Sequence, residues 1–547
     1  MLVCLIFKDL LLERAVGMSE VCVELVGKLV GEMLGLSKEE LSPSDNLISL
    51  GLGSLDIMRI AGLLTKNGCN VTFSELVSNP CMASWVNFAR ERSARSSSNG
   101  SPLLGSANYS KGDPFPITSV QHAYMVGRRD GQELGGTACH AYMEFECGSL
   151  DAAKLERAVE LLILRHPMLR ARFSDDGTAR IEDKVTWKGL TTYRVEGAGN
   201  PDSRIEGIRQ ELSHLRFDIE QDDLIDVRLT VVSPKRTIMH INVDLLAADV
   251  LSIQVLLEDL AHLYDGTDLA PIEIDFMEYA RRTGIGEDAR NEDREYWLNR
   301  IDNMPGGPSL PLKAPMESVK RSQFTRMEYL IDSKSWKNFT EKGRQIGVTQ
   351  SMGIAAVYAK ALSRWSEDKK FLLNLPLFNR KPIHPDVDKI VSDFTSLILL
   401  EADCANAISL LELASQMQGR FQQDVAHSSF GAVEVLRELS HRCPNDPKKA
   451  PVVFASNIGT QFISNKVEDV FGPLSKMLAE TPQVLLDHQI YDHKNGLLLA
   501  WDYVSELLDD KIAKQMFEAY CTAVRFYCEN DWSEPFPDLL PPSQRAA

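Results

Sequence analysis

The run Met239-His-Ile-Asn-Val-Asp244-Leu-Leu-Ala-Ala-Asp249-Val-Leu-Ser252 constrains this chain more than any other stretch. Residues 238–243 are mostly apolar and predict a buried strand. Two aspartates follow, five positions apart, with Ser252 three further on. The four residues between the aspartates are all apolar. A carboxylate at the edge of such a run is costly to bury unless it is paired or hydrogen-bonded. One reading is a strand-to-helix turn, with Asp249 capping a helix that starts at Val250. The other is a pair of functional acids.

The bulk numbers limit what surrounds this stretch. A chain of 547 residues holds several domains of ordinary size. Its net charge of -18 argues against nucleic acid or an anionic membrane as partner. The ten cysteines form no CxxC pair, and their scatter predicts reduced thiols and a cytoplasmic protein. No apolar run reaches transmembrane length. Residues 1–7 are apolar but lack a basic n-region, so they are not read as a signal peptide. Met18 is an alternative start, which would leave residues 1–18 as an N-terminal extension.

Residues 19–92 predict a small all-helical unit. Val21, Leu25, Leu29, Val30, Met33 and Leu34 recur at helical spacing. After a polar loop comes Asn46-Leu-Ile-Ser-Leu-Gly51-Leu-Gly53-Ser54-Leu-Asp-Ile-Met-Arg59-Ile. Ser54 follows a glycine and precedes an amphipathic run, so its hydroxyl lies at a helix N-terminus. It is either a helix cap or a serine presented for modification. Free N–H groups and the helix dipole would favour a phosphate ester there.

This unit, with Val71-Thr-Phe-Ser-Glu-Leu-Val-Ser-Asn-Pro80 and a last helix from Met82, resembles the carrier domains of nonribosomal peptide synthetases. The resemblance is to the aryl carrier type that opens siderophore assembly lines. It implies that Ser54 carries 4'-phosphopantetheine. The sequence departs from the family motif at Gly53, where an aspartate is usual. Residues 93–114 have the Ser-, Asn- and Gly-rich composition of a flexible linker with a span of roughly 25 Å. A tethered carrier is then held near its neighbour at an effective concentration of around millimolar.

Residues 115–535 alternate helical and strand patterns, as in an α/β or α+β protein. They contain no glycine-rich phosphate loop and no metal-ligand spacing. His240 and His488 are isolated and read as satisfied core histidines. This part resembles the heterocyclization domain of nonribosomal peptide synthetases, a variant of the condensation domain. Eight segments in order carry the resemblance. They include Phe115 to Arg128, Arg165 to Phe173, Asp244 to Ser252, Ser392-Asp393-Phe394-Thr395, Pro451 to Asn457 and Thr481 to Gln489. Ordinary condensation domains carry His-His-x3-Asp-Gly where this chain has Asp244 to Asp249.

The resemblance implies an α+β architecture: a four-helix carrier, then a two-lobed chloramphenicol-acetyltransferase-like fold. The lobes span about 115–290 and 291–535, with a tail over 536–547 and a tunnel between them. It also implies two steps. An aryl thioester joins a carrier-bound Cys, Ser or Thr, and the side chain then cyclises with loss of water. Asp487 is the implied proton shuttle, since a tuned carboxylate can both take and give a proton. The usual companion hydroxyl is a threonine, but this chain has Ala455 there. Ser456, another hydroxyl or water would substitute, with Gln483 an amide partner in the same motif set. Asp249 is expected to pair with Arg380 and hold the loop, while Asp244 faces the tunnel. Asp393 and Thr395 are either a turn or catalytic.

The implied partners are a phosphopantetheinyl transferase, a stand-alone aryl-adenylating enzyme supplying salicylate or 2,3-dihydroxybenzoate, and a downstream cysteine-loaded carrier. The implied product is an aryl-thiazoline. Three alternatives remain: a plain amide-forming condensation domain, a catalytically silent carrier-docking module, and a coenzyme A acyltransferase of the same fold.

Overall fold

The apolar periodicity of the N-terminal unit becomes four helices: 23–34, Ser54–Lys66, Phe73–Ser78 and Met82–Arg95. Val26, Val30, Ile57, Ile60 and Leu64 are fully buried, which is one face of each of the first two helices. Trp85 fills the same core and gives its indole N–H to the Leu76 carbonyl at 3.0 Å. The last helix continues to Arg95, three residues into the expected linker. The computed structural model describes residues 23–539 apart from 38–39, 67–68, 70, 72, 96–111, 196–199, 284–286, 379, 382 and 443–447. The expected extension over 1–18, most of the linker and most of the tail lie outside the described residues.

Three sheets follow. A short one joins β1 (Phe115–Pro116), β4 (Thr178–Ile181) and β3 (Ala171–Ser174) in that order. The second has β2 (His140–Cys147) and β7 (Arg236–Asp244) at its centre, with β6 (Ile225–Ser233) and β5 (Thr191–Arg194) on one side. All of β7 after Arg236 is buried, as the apolar run predicts. Helices Ala152–Arg165 and Val250–Tyr264 share one apolar core with this sheet.

The third sheet runs β10 (Thr395–Asp403), β9 (Lys370–Phe378), β11 (Val452–Gln461), β13 (Leu486–His493), β14 (Gly496–Val504) and β8 (Phe324–Asp332). Helix Gln350–Trp365 is buried along nearly its whole length against this sheet's core. Gly353 permits that. A Cβ there would stand 2.4 Å from the Trp532 ring.

The division into lobes at about residue 290 needs one correction. Strand β12 (Leu474–Glu480) comes from the C-terminal half, yet it pairs antiparallel with β2 and completes the N-terminal sheet. The backbone groups of the β2 edge are thereby satisfied by the other lobe.

The two isolated histidines are core residues. His240 bonds the Tyr142 and Thr230 hydroxyls at 2.8 and 2.9 Å, and His488 bonds the Ala500 carbonyl and the Tyr520 hydroxyl. Cys81, Cys139, Cys147, Cys404, Cys521 and Cys528 are free thiols. Cys69 is buried in the carrier core. Among the described residues no helix is long and apolar enough to cross a membrane.

Candidate active site

Strands β11 and β13 run parallel in a register that pairs Val453 with Asp487, Ala455 with Gln489 and Asn457 with Tyr491. Successive residues of a strand point to opposite faces, so alternate ones share a face. These six therefore share one face, and all six line a cavity of about 550 Å³ between the lobes. The N-terminal lobe closes it with Tyr124, Ala248 and Asp249 among others, and β9 and its neighbouring loop add Asn374 and Asp393.

Asp487 is 6% exposed on that wall. Its Oδ2 accepts from the Gln489 amide nitrogen at 2.6 Å, and Oδ1 has no protein partner among the described residues. The Gln489 carbonyl oxygen receives two donors, Arg326 at 2.8 Å and the Tyr491 hydroxyl at 2.5 Å. With its oxygen so occupied, the amide must present its N–H to Asp487. Burial pushes the Asp487 carboxyl up to about 7. The charge of Asp502 adds to that push, while Gln489 and Arg326 oppose it. A carboxyl so tuned exchanges protons readily near neutrality.

Ser456 lies on the other face of β11. Its hydroxyl meets that of Ser351 at 2.8 Å, and both line a separate small cavity with Phe378 and Phe454. The expectation that Ser456 stands in for the missing threonine beside Asp487 is corrected by strand parity. Gln483 does line the main cavity, but in an exposed turn with φ +64°, its N–H bonded to the Leu134 carbonyl at 2.7 Å.

Asp244 also departs from expectation. It is fully buried and does not line the cavity. Both its oxygens accept from Arg128, at 3.0 and 2.8 Å, and Oδ1 also accepts the Leu246 N–H. An anion turned into a low-dielectric interior is retained there by such pairing.

Asp249 meets both of its readings. It caps helix Val250–Tyr264, accepting from the Ser252 N–H at 2.7 Å, and it pairs with Arg380 at 2.9 Å. Arg380 also donates to Ser252 Oγ, which in turn donates to the Ser392 carbonyl. Two motifs about 140 residues apart are thus tied into one wall. On that wall Asp393 forms a turn, its Oδ1 accepting from the Thr395 N–H at 3.0 Å, while Oδ2 has no protein partner among the described residues. Burial pushes this carboxyl up to about 7 as well; Thr395 opposes and Asp249 reinforces the shift.

The helical unit contacts the C-terminal lobe. Arg344 donates to the Leu50 carbonyl at 3.2 Å and Gln422 to the Val77 carbonyl at 3.0 Å. Gly347, at φ +72°, faces Ser49 and Asn46. A Cβ at Gly53 would lie 3.6 Å from the Gln350 amide, one residue from Ser351. Ser54 opens the 13-residue helix Ser54–Lys66, and its side chain lies outside the described residues. A helix start preceded by glycine fits an attached phosphate, whose charge the free N–H groups would favour.

Arg128, Gln489, Tyr491 and Arg326 were not among the predicted site residues. Gln489 and Tyr491 are legible as the alternate positions after Asp487, and Arg128 stands inside the opening motif. Arg326 has no local signal, because β8 reaches the site only through sheet pairing.

The sequence model for the condensation domain matches residues 115–530, and that for the phosphopantetheine attachment site matches residues 24–89. Phenyloxazoline synthase MbtB of Mycobacterium tuberculosis (strain ATCC 25618 / H37Rv) is 34% identical over 537 residues, covering 96% of this chain and 38% of that protein. Pyochelin synthetase PchE of Pseudomonas aeruginosa (strain PAO1) is 34% identical over 529 residues, covering 96% and 36%. The chain thus spans less than two fifths of the length of either relative. The EpoB cyclization-docking bidomain from Sorangium cellulosum superposes with a TM-score of 0.73 at 29% identity, covering 83% of this chain and 93% of that one.

Proposed function

We propose, from the premise that the chain belongs to the condensation-domain family and carries a phosphopantetheine attachment domain, that it performs heterocyclization in siderophore assembly. An aryl group, salicyl or 2,3-dihydroxybenzoyl, passes from the carrier unit to a carrier-bound cysteine. The resulting amide then cyclodehydrates to an aryl-thiazoline. The attached pantetheine, when bound at Ser54, supplies the thioester from which the aryl group is transferred. A carrier domain implies a modifying transferase and an adenylating partner in general. A stand-alone aryl-adenylating enzyme, a downstream cysteine-loaded carrier and a cytoplasmic location are the specific forms proposed here.

One observation carries the reading: a buried carboxyl poised near neutrality on the wall of an interlobe cavity. In ring closure the cysteine sulfur bonds to the amide carbon, and its proton is carried to the amide oxygen. The carbon–oxygen bond then breaks, the nitrogen forms C=N, and the N–H proton leaves with the oxygen as water. Each transfer needs a group that accepts from one side and donates to the other, and Asp487 meets that need. Gln489, fixed by Arg326 and Tyr491, holds the carboxyl in place. Asp244 and Asp249 support the wall through their arginines.

A second reading, an oxazoline from a serine or threonine acceptor, is favoured by the name phenyloxazoline synthase borne by one relative. Mass spectrometry of a reconstituted reaction tests both. The aryl-loaded chain is mixed with a cysteine-, serine- or threonine-loaded acceptor carrier. Gain of the aryl group with loss of one further water supports heterocyclization and identifies the acceptor. Gain without water loss marks a plain condensation catalyst and removes Asp487 from its role.

A further inference from the structure

The proposed ring closure asks for a hydroxyl beside Asp487, and the strand supplies none. Position 455 is alanine, and Ser456 faces Ser351. Among the described residues, five hydroxyls line the cavity: Tyr124, Thr395, Ser440, Thr481 and Tyr491. Two are engaged: Tyr491 gives its proton to Gln489, and Ser440 donates to the Leu436 carbonyl at 2.9 Å. Thr395 opens β10, its N–H bonded to Asp393 on the C-terminal lobe. Thr481 stands in the turn with Pro482 and the exposed Gln483, outside β13.

Tyr124 is placed differently. It projects from helix Ser119–Gly127, whose start is closed by a reciprocal capping box between Thr118 and Gln121. Gln121 also donates to the Leu246 carbonyl at 2.8 Å, which ties the helix to the turn between Asp244 and Asp249. The helix that carries this cavity-lining tyrosine is thereby fixed on the lobe opposite Asp487. The charges of Asp393, Asp487 and Asp249 all bear on it, as does Cys139.

We infer that Tyr124 is a catalytic residue of cyclodehydration, its phenol reaching from the N-terminal lobe to take the place of the hydroxyl absent at position 455. This rests on the heterocyclization reading. The phenol donates a hydrogen bond to the amide oxygen as it becomes the hydroxyl of the ring-closed adduct. It keeps its own proton, and the two proton transfers remain with the carboxyl already assigned. Burial above all, reinforced by the surrounding carboxyls, raises the phenol's pKa well beyond its ordinary value, so it stays a neutral donor at working pH. A donor aimed where charge develops accelerates that step and leaves the preceding acyl transfer alone.

The test compares the wild-type full chain with Tyr124→Phe and Thr481→Ala. Each is loaded with the aryl group and mixed with cysteine-loaded acceptor, with open amide and ring quantified by mass. Tyr124→Phe is expected to form the open amide within about twofold of the wild-type rate, while ring formation falls by about 100-fold and open amide accumulates. Thr481→Ala keeps the wild-type ratio of ring to open amide. The inference is overturned if Tyr124→Phe closes the ring like wild type, or if amide and ring fall together with a lowered unfolding midpoint. It is also overturned if Thr481→Ala is the variant that stalls at open amide. A wild-type chain that makes only open amide removes the heterocyclization reading itself, and this inference with it.

Discussion

Arg380 donates to an Asp249 oxygen at 2.9 Å across 131 residues of sequence, and the two side chains are 4% and 0% exposed. The same guanidinium donates to Ser252 Oγ at 2.8 Å and lies 4.2 Å over the Phe394 ring. The acidic motif of the N-terminal lobe is anchored to the C-terminal lobe at this point. Removing one partner leaves the other charge buried and unpaired.

Asp249→Ala should therefore lower stability by on the order of 3–5 kcal/mol, with activity lost as a consequence of a displaced wall. Denaturant unfolding reads the stability term. Turnover per folded molecule, measured under stabilising conditions, separates it from a direct chemical role.

Asp244 and Arg128 form a second buried pair, away from the cavity wall. Asp244→Ala alone should destabilise by a similar amount, roughly 3–5 kcal/mol. The double change Asp244→Leu with Arg128→Met should recover much of that loss, because no unpaired charge remains. Unfolding midpoints of the single and double variants check this. A functional acid at position 244 would leave the stable double variant inactive.

Asp487 has an ordinary carboxyl pKa near 3.8 when unfolded and about 7 in the folded chain. The unfolded state therefore releases its proton first as pH rises. Folding loses stability between pH values of about 4 and about 7, and the loss is complete above that. Asp487→Asn removes the titrating group. Its unfolding midpoint relative to wild type should rise across that window, while cyclodehydration falls by about 10²-fold or more. Parallel unfolding curves at pH 5 and pH 8 read the first effect, and product mass reads the second.

Ser456 and Ser351 share a hydrogen bond on the face of β11 away from Asp487. Ser456→Ala should leave the ratio of ring to open amide unchanged and cost at most about 1 kcal/mol of stability. Stalling at open amide in this variant would restore Ser456 to the chemistry.

The carrier unit reaches the large domain through Arg344 and Gln422, each donating to a carrier backbone carbonyl. Arg344→Ala combined with Gln422→Ala should slow transfer from the attached carrier. Transfer from a free aryl thioester surrogate should be unchanged, since neither side chain lines the cavity. Single-turnover kinetics with the two donors distinguish lost docking from lost chemistry.

Much of this was legible without coordinates. A continuous apolar run placed β7, the capping signal at Asp249 placed the helix from Val250, and helical spacing placed the first two carrier helices, because these signals are local; the four-helix carrier came from the resemblance. The motif order around Asp244, Ser392 and Thr481 pointed to the family and to Asp487. Arg380 was legible as the partner of Asp249 through that resemblance.

What only the tertiary structure decided was which face each side chain meets. Parity along β11 separates Ala455 from Ser456 in any strand, yet nothing local says which of them fronts the cavity. That depends on β11 lying beside β13, with helix Gln350–Trp365 behind it. Nor could the sequence turn Asp244 inward, since its partner Arg128 stands 116 residues away. Residue types and spacings determined which acids and hydroxyls were available. The pairing of distant strands, and the desolvation that comes with it, decided which of them remain free to act.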